Sequence, residues 1–396
     1  MKWNWLLAAA MVACSTEEEV LEFTVEELEM LAFFRQEGPP AADPTNSFSK
    51  DADAAALGQF LFFDPRLSGT GDVSCASCHD PAQGFGDGMP LSETLGRTDR
   101  HAMTLLNSAY QDFFYWDGRS DSLWAQALSP IENPAEMGGA REKVAELMQS
   151  DASLHLVYES VFGTLPRTEL SEWEVDEVFA NVGKAIAAYE QVLVRQDAPF
   201  DRFLQRLLDG ERNPGEWMGV EAQRGLKDFL GDAGCHFCHF GPQFSNKDFH
   251  NIGLPLPAWD QPLDAGRYDG IPMLLDDPYN GAGEFSDDPD WGALQIEHLV
   301  QSGEQLGQFK TPSLRNLLST APYMHAGHFE DLDGVLVHYA GLKNRTELGH
   351  REETLLPFED STGHRLSDLK ALLESLEGEP LEEGLSEAPA SPFAED

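Results

Sequence analysis

Apolar side chains recur three and four positions apart over much of the chain, and each stretch where they do so predicts a helix. Ala54 to Phe63 is one such stretch, and Asp64-Pro65 ends it, because proline disfavours helical backbone in the residue before it. The pattern returns at Arg141 to Gln149 and over Glu172 to Arg195, where Val175, Val178, Val182, Ile186, Tyr189 and Val192 share one face. Val220 to Leu230, Leu332 to Tyr339 and Leu366 to Leu376 follow, with a short candidate at Val25 to Arg35. Asp80 to Gly118 is rich in Gly, Asp and Pro and reads as a loop able to wrap a bound group; residues 254–292 and Lys310 to His328 also read as loop. Residues 15–50 have a linker composition, residues 196–215 join two halves, and the acidic chain from Glu377 onward is expected not to fold. Strand-like alternation is not sustained anywhere, so the fold class is mainly α.

The chain has 396 residues, 41% hydrophobic and 10% aromatic, which suffices for two or three cores and excludes disorder throughout. Charge changes the picture more: 26 Lys+Arg against 69 Asp+Glu give −43, which argues against a nucleic-acid partner, since phosphates call for a basic face. Such a field would steer a basic protein partner; a solvated acidic surface that keeps the protein soluble is the plainer reading.

The start reads Met1-Lys2, a short apolar run from Leu6 to Ala13, then Cys14-Ser-Thr-Glu-Glu-Glu. The run is too short to span a bilayer and resembles an export signal. Met11-Val-Ala-Cys14 resembles the lipobox of bacterial lipoproteins, with Met where Leu is usual, which would make residues 1–14 a signal peptide and Cys14 a lipid anchor. The alternative is cleavage nearby and release into the periplasm.

The candidate chemistry lies in the remaining cysteines. Cys75-Ala-Ser-Cys78-His79 and Cys235-His-Phe-Cys238-His239 each place a histidine directly after a Cys-x-x-Cys pair, the attachment signature of a c-type haem. Two thiols one short turn apart can reach both vinyl groups, and the next imidazole then lies under the iron. A zinc site or redox dithiol would also use Cys-x-x-Cys, but has no need of the histidine in both copies. No cysteine is left for a structural disulfide. A helix precedes each motif, so the halves read as a remote internal duplication: an N-terminal haem domain over 51–195, a C-terminal one over 196–378, and an acidic tail over 379–396.

Further blocks carry a family resemblance: Leu61-Phe-Phe-Asp-Pro-Arg-Leu-Ser68, Phe114-Tyr-Trp-Asp-Gly-Arg119, Pro130-Ile-Glu-Asn-Pro-Ala-Glu-Met137, Phe240-Gly-Pro, Lys310-Thr-Pro-Ser-Leu-Arg-Asn316 and Ala321-Pro-Tyr-Met-His325. From about Ala54 to Leu376 the chain resembles the bacterial di-haem cytochrome c peroxidases and their MauG-type relatives. The resemblance implies an enzyme that reacts with H2O2 at the His79 haem and receives electrons from a protein donor through the His239 haem. It makes Glu136 the acid/base group, Gln126 the residue that positions water or peroxide, and Trp116 the relay between haems. Taken alone, Glu136 would be a surface charge and Trp116 a core aromatic. Many of the peroxidases close the first iron with a loop histidine, and here only His101 lies between His79 and Trp116, so an open first haem is expected, with His101 as a distal ligand the alternative.

For the sixth ligand of the second haem the resemblance offers Tyr339, the choice of the MauG branch, with Met324 as competitor and His338 as a weaker one. A calcium ion is implied at the carbonyls of Thr320 and Pro322, but the family's asparagine ligand maps onto His101. Two readings of function follow: a peroxidase fed by a small cytochrome or copper protein, or MauG-like oxidation of a partner protein's side chains. A di-haem electron carrier without chemistry is the rival, and it has no need of Gln126 and Glu136.

Overall fold

The computed structural model describes residues 21–393 apart from 212–213, 256–262, 343–347 and 361–362, so the signal-like run and Cys14 lie outside the described residues. The chain is mainly helical: α1 (Val25–Leu31), α2 (Ala52–Phe63), α3 (Leu123–Glu132), α4 (Arg141–Ser150), α5 (Ala152–Phe162), α6 (Glu172–Glu190), α7 (Pro199–Leu208), α8 (Val220–Leu230), α9 (Arg267–Asp276), α10 (Pro289–Ile296), α11 (Leu332–Gly341) and α12 (Arg365–Glu374). Side-chain caps start several of them. Asp51 accepts from the Ala54 amide at 2.9 Å, and Ser171 and Glu174 form a reciprocal capping box; such a cap is worth about 1 kcal/mol. The extended segments that pair are two residues each, β1 (Phe249–His250) and β2 (Phe309–Lys310), antiparallel with Phe249 opposite Lys310.

Two hydrophobic cores result. One gathers α2 to α6 around Leu61, Phe62, Trp124, Phe179 and Tyr189; the other gathers α7, α8, α11 and α12 around Phe200, Phe203, Phe229, Leu336 and Leu372. Both are organised by one close helix crossing that requires glycine. A Cβ at Gly58 of α2 would lie 1.9 Å from the Ala185 carbonyl oxygen of α6, and one at Gly225 of α8 would lie 2.0 Å from that of Asp368 in α12.

The duplication extends beyond the motifs. Asn107 and Asn316, Tyr115 and Met324, and the helix caps Ser122 and Asp331 correspond at a constant offset of 209 positions. Asn107 and Asn316 each have left-handed backbone and open a short 3₁₀ turn. The matching turns Phe114–Ser120 and Tyr323–Phe329 are each closed by an antiparallel bridge.

Four expectations need correction. The segment expected to act as a linker packs: α1 and the turn after it bury Leu31 and Phe34 in the second core, and Glu27 pairs with Lys227 at 2.9 Å. The acidic tail also packs, on the first core, where the Tyr189 hydroxyl donates to the Leu385 carbonyl at 2.6 Å and Gln59 to those of Gly384 and Glu387. Each end of the described residues therefore lies on the half remote from it in sequence. Within 254–292 stands α9, and α10 begins there; within 196–215 stands α7. Helices α9 and α10 bury few of their own side chains, so periodicity is weak in them, and Pro272 sits inside α9. The helices α3 and α5 carried no signal strong enough to be read, since α3 is apolar on most faces and carries Pro130 within it.

Glu190, at the end of α6, is 3% exposed, and its Oε2 has no hydrogen-bond partner. Burial pushes its carboxyl up to about 8. The unfolded chain loses this proton near the ordinary carboxylate value, so stability falls as pH rises from there to about 8 and is level above. Glu190→Gln is expected to stabilise the protein by roughly 1–3 kcal/mol at about pH 8, with a smaller gain at about pH 5, as read by thermal unfolding at the two pH values.

Candidate active site

Each Cys-x-x-Cys-His motif is a single 3₁₀ turn, Cys75–Ser77 and Cys235–Phe237, followed by its histidine. None of the four cysteines of the two motifs is in a disulfide. His79 Nδ1 donates to the Phe85 carbonyl at 3.0 Å, and His239 Nδ1 to the Phe244 carbonyl at 2.8 Å. Burial lowers the proton affinity of both rings, to about 4 for His239. A neutral imidazole with Nδ1 committed to a carbonyl presents Nε2 to a metal, which is how a ligating histidine is oriented. The accepting loops are pinned alike: the Thr104 hydroxyl donates to the Gly84 carbonyl at 2.6 Å and that of Ser313 to the Gln243 carbonyl at 2.7 Å. Arg315 forks onto Asp201 at 2.8 and 2.9 Å and gives Nε to the Pro242 carbonyl, joining α7 to the loop after His239. The donor sets fit a c-type haem in both halves.

Beside His239 opens a cleft lined by Cys235, Cys238, Leu336, Tyr339 and Met324 among others. Val335, Leu336 and Tyr339 share one face of α11 and reach it. His338 faces elsewhere, towards the Ile252 carbonyl at 3.3 Å, and does not line it. Of the three candidate caps, Tyr339 and Met324 line the cleft. Burial pushes the Tyr339 hydroxyl well up, so a phenolate at this position needs a cation against it.

In the first half, Gln126 lies on α3 and Glu136 on the turn after it. Asn133 donates to Glu136 Oε1 at 2.7 Å, and the Thr94 hydroxyl donates to the Glu136 carbonyl at 2.8 Å. Burial pushes the Glu136 carboxyl up; the charge of Arg119 and the bond from Asn133 oppose the shift. Trp116 is 8% exposed and stands where the halves meet: its Nε1 donates to the His101 carbonyl at 3.0 Å, and its own carbonyl accepts from Lys310 at 2.8 Å. The contact is reciprocal, because the His101 amide donates to the carbonyl of His325, the counterpart of Trp116, at 2.8 Å, and the two rings lie 6.5 Å apart.

His101 lies within the field of His79 and is tied down on its own side. Its Nδ1 bonds the Met89 carbonyl at 2.6 Å, and the residue also lines the cleft beside His239. It does not supply the oxygen of the asparagine it replaces. Calcium prefers oxygen donors, and the imidazole of His101 is not one, so the residues here do not fit that ion as a complete site.

The family pattern described as di-haem cytochrome c peroxidase matches residues 52–208. The methylamine utilization protein MauG of Methylorubrum extorquens is 36% identical over 331 residues, 83% of this chain and 79% of that protein. The cytochrome-c peroxidase IdrP2 of Denitromonas iodatirespirans is 34% identical over 335 residues, covering 84% and 83%. The chain belongs to the di-haem cytochrome c peroxidase family. A solved structure of a MauG-like protein associated with microbial copper homeostasis superimposes with a TM-score of 0.68 at 24% identity, over 89% of this chain and 97% of that one, which shows the shared fold. As a di-haem peroxidase the protein is an oxidoreductase that acts on peroxide, uses haem, and exchanges electrons with a protein partner. Among the described residues, no helix is long and apolar enough to cross a membrane.

Sequence reasoning had not singled out Arg119, Tyr115, Lys310 or His325 for roles, although all lie inside the quoted blocks. Lys310 is 5% exposed, is lowered by burial to about 8, and donates to the Phe113 carbonyl at 2.9 Å. Its own position says nothing of this, because a lysine in a loop ordinarily faces water.

Proposed function

We propose that each half, 51–195 and 196–378, carries one covalently attached haem, and that the His79 half meets H2O2 while the His239 half passes electrons. The observation that carries the division is an asymmetry in the duplication. Tyr339 of α11 corresponds to Pro130 of α3, and proline has no side-chain donor for iron, so the first half leaves a face open where the second is capped. When bound, haem supplies the redox-active iron and with it the electrons that peroxide takes up.

The chain's own residues handle the proton. Glu136, desolvated yet within the field of Arg119, accepts a proton from one peroxide oxygen and gives it to the other, which leaves as water. Gln126 orients the peroxide from α3. Trp116, bonded to both halves, lies between them as relay. Tyr339 caps the second iron, with Met324 the alternative. Tyr339 favours the reading in which a partner protein's side chains are oxidised over peroxide removal with a small cytochrome or copper protein, because a phenolate ligand holds oxidised iron better than a thioether. At −43 the chain favours a basic partner. Placement on the periplasmic side, with or without a lipid at Cys14, accords with haem attachment outside the cytoplasm.

Protein matured in a host that installs c-type haem is expected to show the mass of two haems, and Cys75→Ala with Cys78→Ala to lose one of them together with the reaction with H2O2. The resting ferric protein should hold one high-spin iron that reacts quickly with H2O2. Two low-spin irons inert to peroxide would make it an electron carrier.

A further inference from the structure

The turn Phe114–Ser120, which carries Trp116, and its counterpart Tyr323–Phe329 close with the same bridge and have positive φ at the same two positions, Tyr115 and Gly118 in one, Met324 and Gly327 in the other. They are held differently. At the offset of 209 positions Lys310 stands where the first half has His101, and the backbone bonds across the interface match: the Lys310 amide donates to the Trp116 carbonyl at 2.8 Å, and the His101 amide to the His325 carbonyl at 2.8 Å. The side chains do not match. His101 turns its ring to the Met89 carbonyl in its own half, whereas Lys310 Nζ crosses to the Phe113 carbonyl at 2.9 Å. A second cation comes from a stretch that the first half lacks, since Lys310 follows His239 by 71 positions and His101 follows His79 by only 22. Arg267, at the start of α9, donates from Nη1 to the carbonyls of Asp117 and Gly118 at 3.2 and 2.6 Å.

Arg267 is 3% exposed, and its guanidinium lies between two rings, 4.6 Å from that of Phe113 in the first half and 4.2 Å from that of Phe249 in the second. Its own backbone is tied to the second half, because the Arg267 amide donates to the Gln308 carbonyl at 2.8 Å, next to β2. A Cβ at Gly270 would lie 2.3 Å from the Asp117 carbonyl oxygen, so α9 sits directly on the turn. The carboxylate of Asp117 is taken by Arg100 and Arg119, and the two cations of the second half meet backbone carbonyls instead. Burying a guanidinium and an ammonium costs free energy unless their donors are met. For packing alone, apolar side chains of like volume serve at least as well. The counterpart turn shows that this backbone forms without such cations, so their presence at the first turn calls for a reason beyond folding.

We infer that Arg267 and Lys310 are positioning residues for the electron relay: reaching from the second half, they hold the carbonyls on both sides of Trp116 and fix the indole against the half from which electrons come. The inference rests on the relay role proposed for Trp116. The carbonyls of Phe113, Trp116, Asp117 and Gly118 all accept from the second half, and the indole Nε1 donates to the His101 carbonyl at 3.0 Å. Bonds from a charged donor are roughly twice as strong as neutral ones. A guanidinium stacked between two rings has little rotamer freedom left. Each electron that passes leaves Trp116 unchanged, since the indole gives one to the first half, where peroxide is the oxidant, and regains one from the second. What the residues around it can alter is where the indole stands, and the rate of transfer follows from that position.

The test reads two rates of the holoenzyme by stopped-flow mixing: the reaction of the oxidised protein with H2O2, and the transfer of electrons out of a reduced second haem once H2O2 is added. Arg267→Met is expected to slow the transfer by about 10- to 10²-fold, the loss that a misplacement of about 1 Å brings. Lys310→Met keeps the amide bond to Trp116 and should slow it less. Arg267→Lys keeps a charged donor and should fall between Arg267→Met and the parent. The ultraviolet resonance Raman bands of the Trp116 indole, isolated by subtracting the spectrum of Trp116→Phe, should shift in Arg267→Met as the bond to the His101 carbonyl weakens. In a Trp116→Phe background, Arg267→Met should slow the transfer no further. Parental transfer, indole bands that do not move, or an equal loss in both rates would each overturn the inference while leaving Trp116 its role. If Trp116→Phe transfers electrons as fast as the parent, the relay reading fails and this inference with it. Should Arg267→Met not load both haems, Lys310→Met decides: it must both slow the transfer and shift the indole bands, and failure of either overturns the inference equally.

Discussion

Glu136→Gln slows the reaction of the ferric holoenzyme with H2O2 by ~10²-fold or more, the loss expected when a positioned acid/base group is removed. The amide is nearly the same size as the carboxyl and can still meet Asn133, so haem content and the fold should be unchanged. What it cannot do is take up a proton and return it. Since burial holds the carboxyl above the ordinary carboxylate range, the parent's rate should fall as pH drops through that raised value, whereas the variant's slow rate should show no such limb. Stopped-flow mixing with H2O2 across pH checks both parts. A variant as fast as the parent would remove Glu136 from the reaction.

Tyr339→Met should raise the reduction potential of the second haem by an amount on the order of 100 mV, because a thioether favours reduced iron where a phenolate favours oxidised iron. The substitution keeps the position on the face of α11 that α11 turns to the cleft, one turn from Val335 and beside Leu336. Potentiometry and the ferric absorption spectrum read the change. Met324→Leu should leave both as they are. If Met324→Leu abolishes the low-spin signal and Tyr339→Met does not, the capping role passes to Met324, which lines the same cleft.

Helices with one buried face were legible in the sequence. Val220–Leu230 has the bounds expected, and α2, α4, α11 and α12 fall within about two residues of their predicted ends, the usual margin for helix termini. Helix α6 stops at Glu190, short of the expected Arg195, because the chain there turns to meet Asn107, whose side chain accepts from the Arg195 amide at 2.8 Å. The helices that were missed are α3, α5, α7, α9 and α10, and all but α5 carry Pro at the start or inside. Periodicity cannot mark a face when most faces are covered. The acidic tail shows a different limit. Its composition speaks of solvation, yet Leu381 and Leu385 find apolar surface on α2 and α6 that only the folded first half presents.

Within the active site, the two Cys-x-x-Cys-His motifs needed no fold to be read, since attachment chemistry depends on residues adjacent in the chain. The same holds for the family blocks that pointed to Glu136, Gln126, Trp116 and Tyr339. What the sequence alone determined was therefore chemistry carried by contiguous residues: the haem motifs, the acidic charge and a mainly helical chain. Only the tertiary structure decided which residues meet across long separations: Trp116 with Lys310, Arg315 with Asp201, and each end of the described residues with the opposite half. The physical reason is that burial and pairing, which set charge states and remove alternative ligands, are properties of packed neighbours, and neighbours in a core are chosen by the fold.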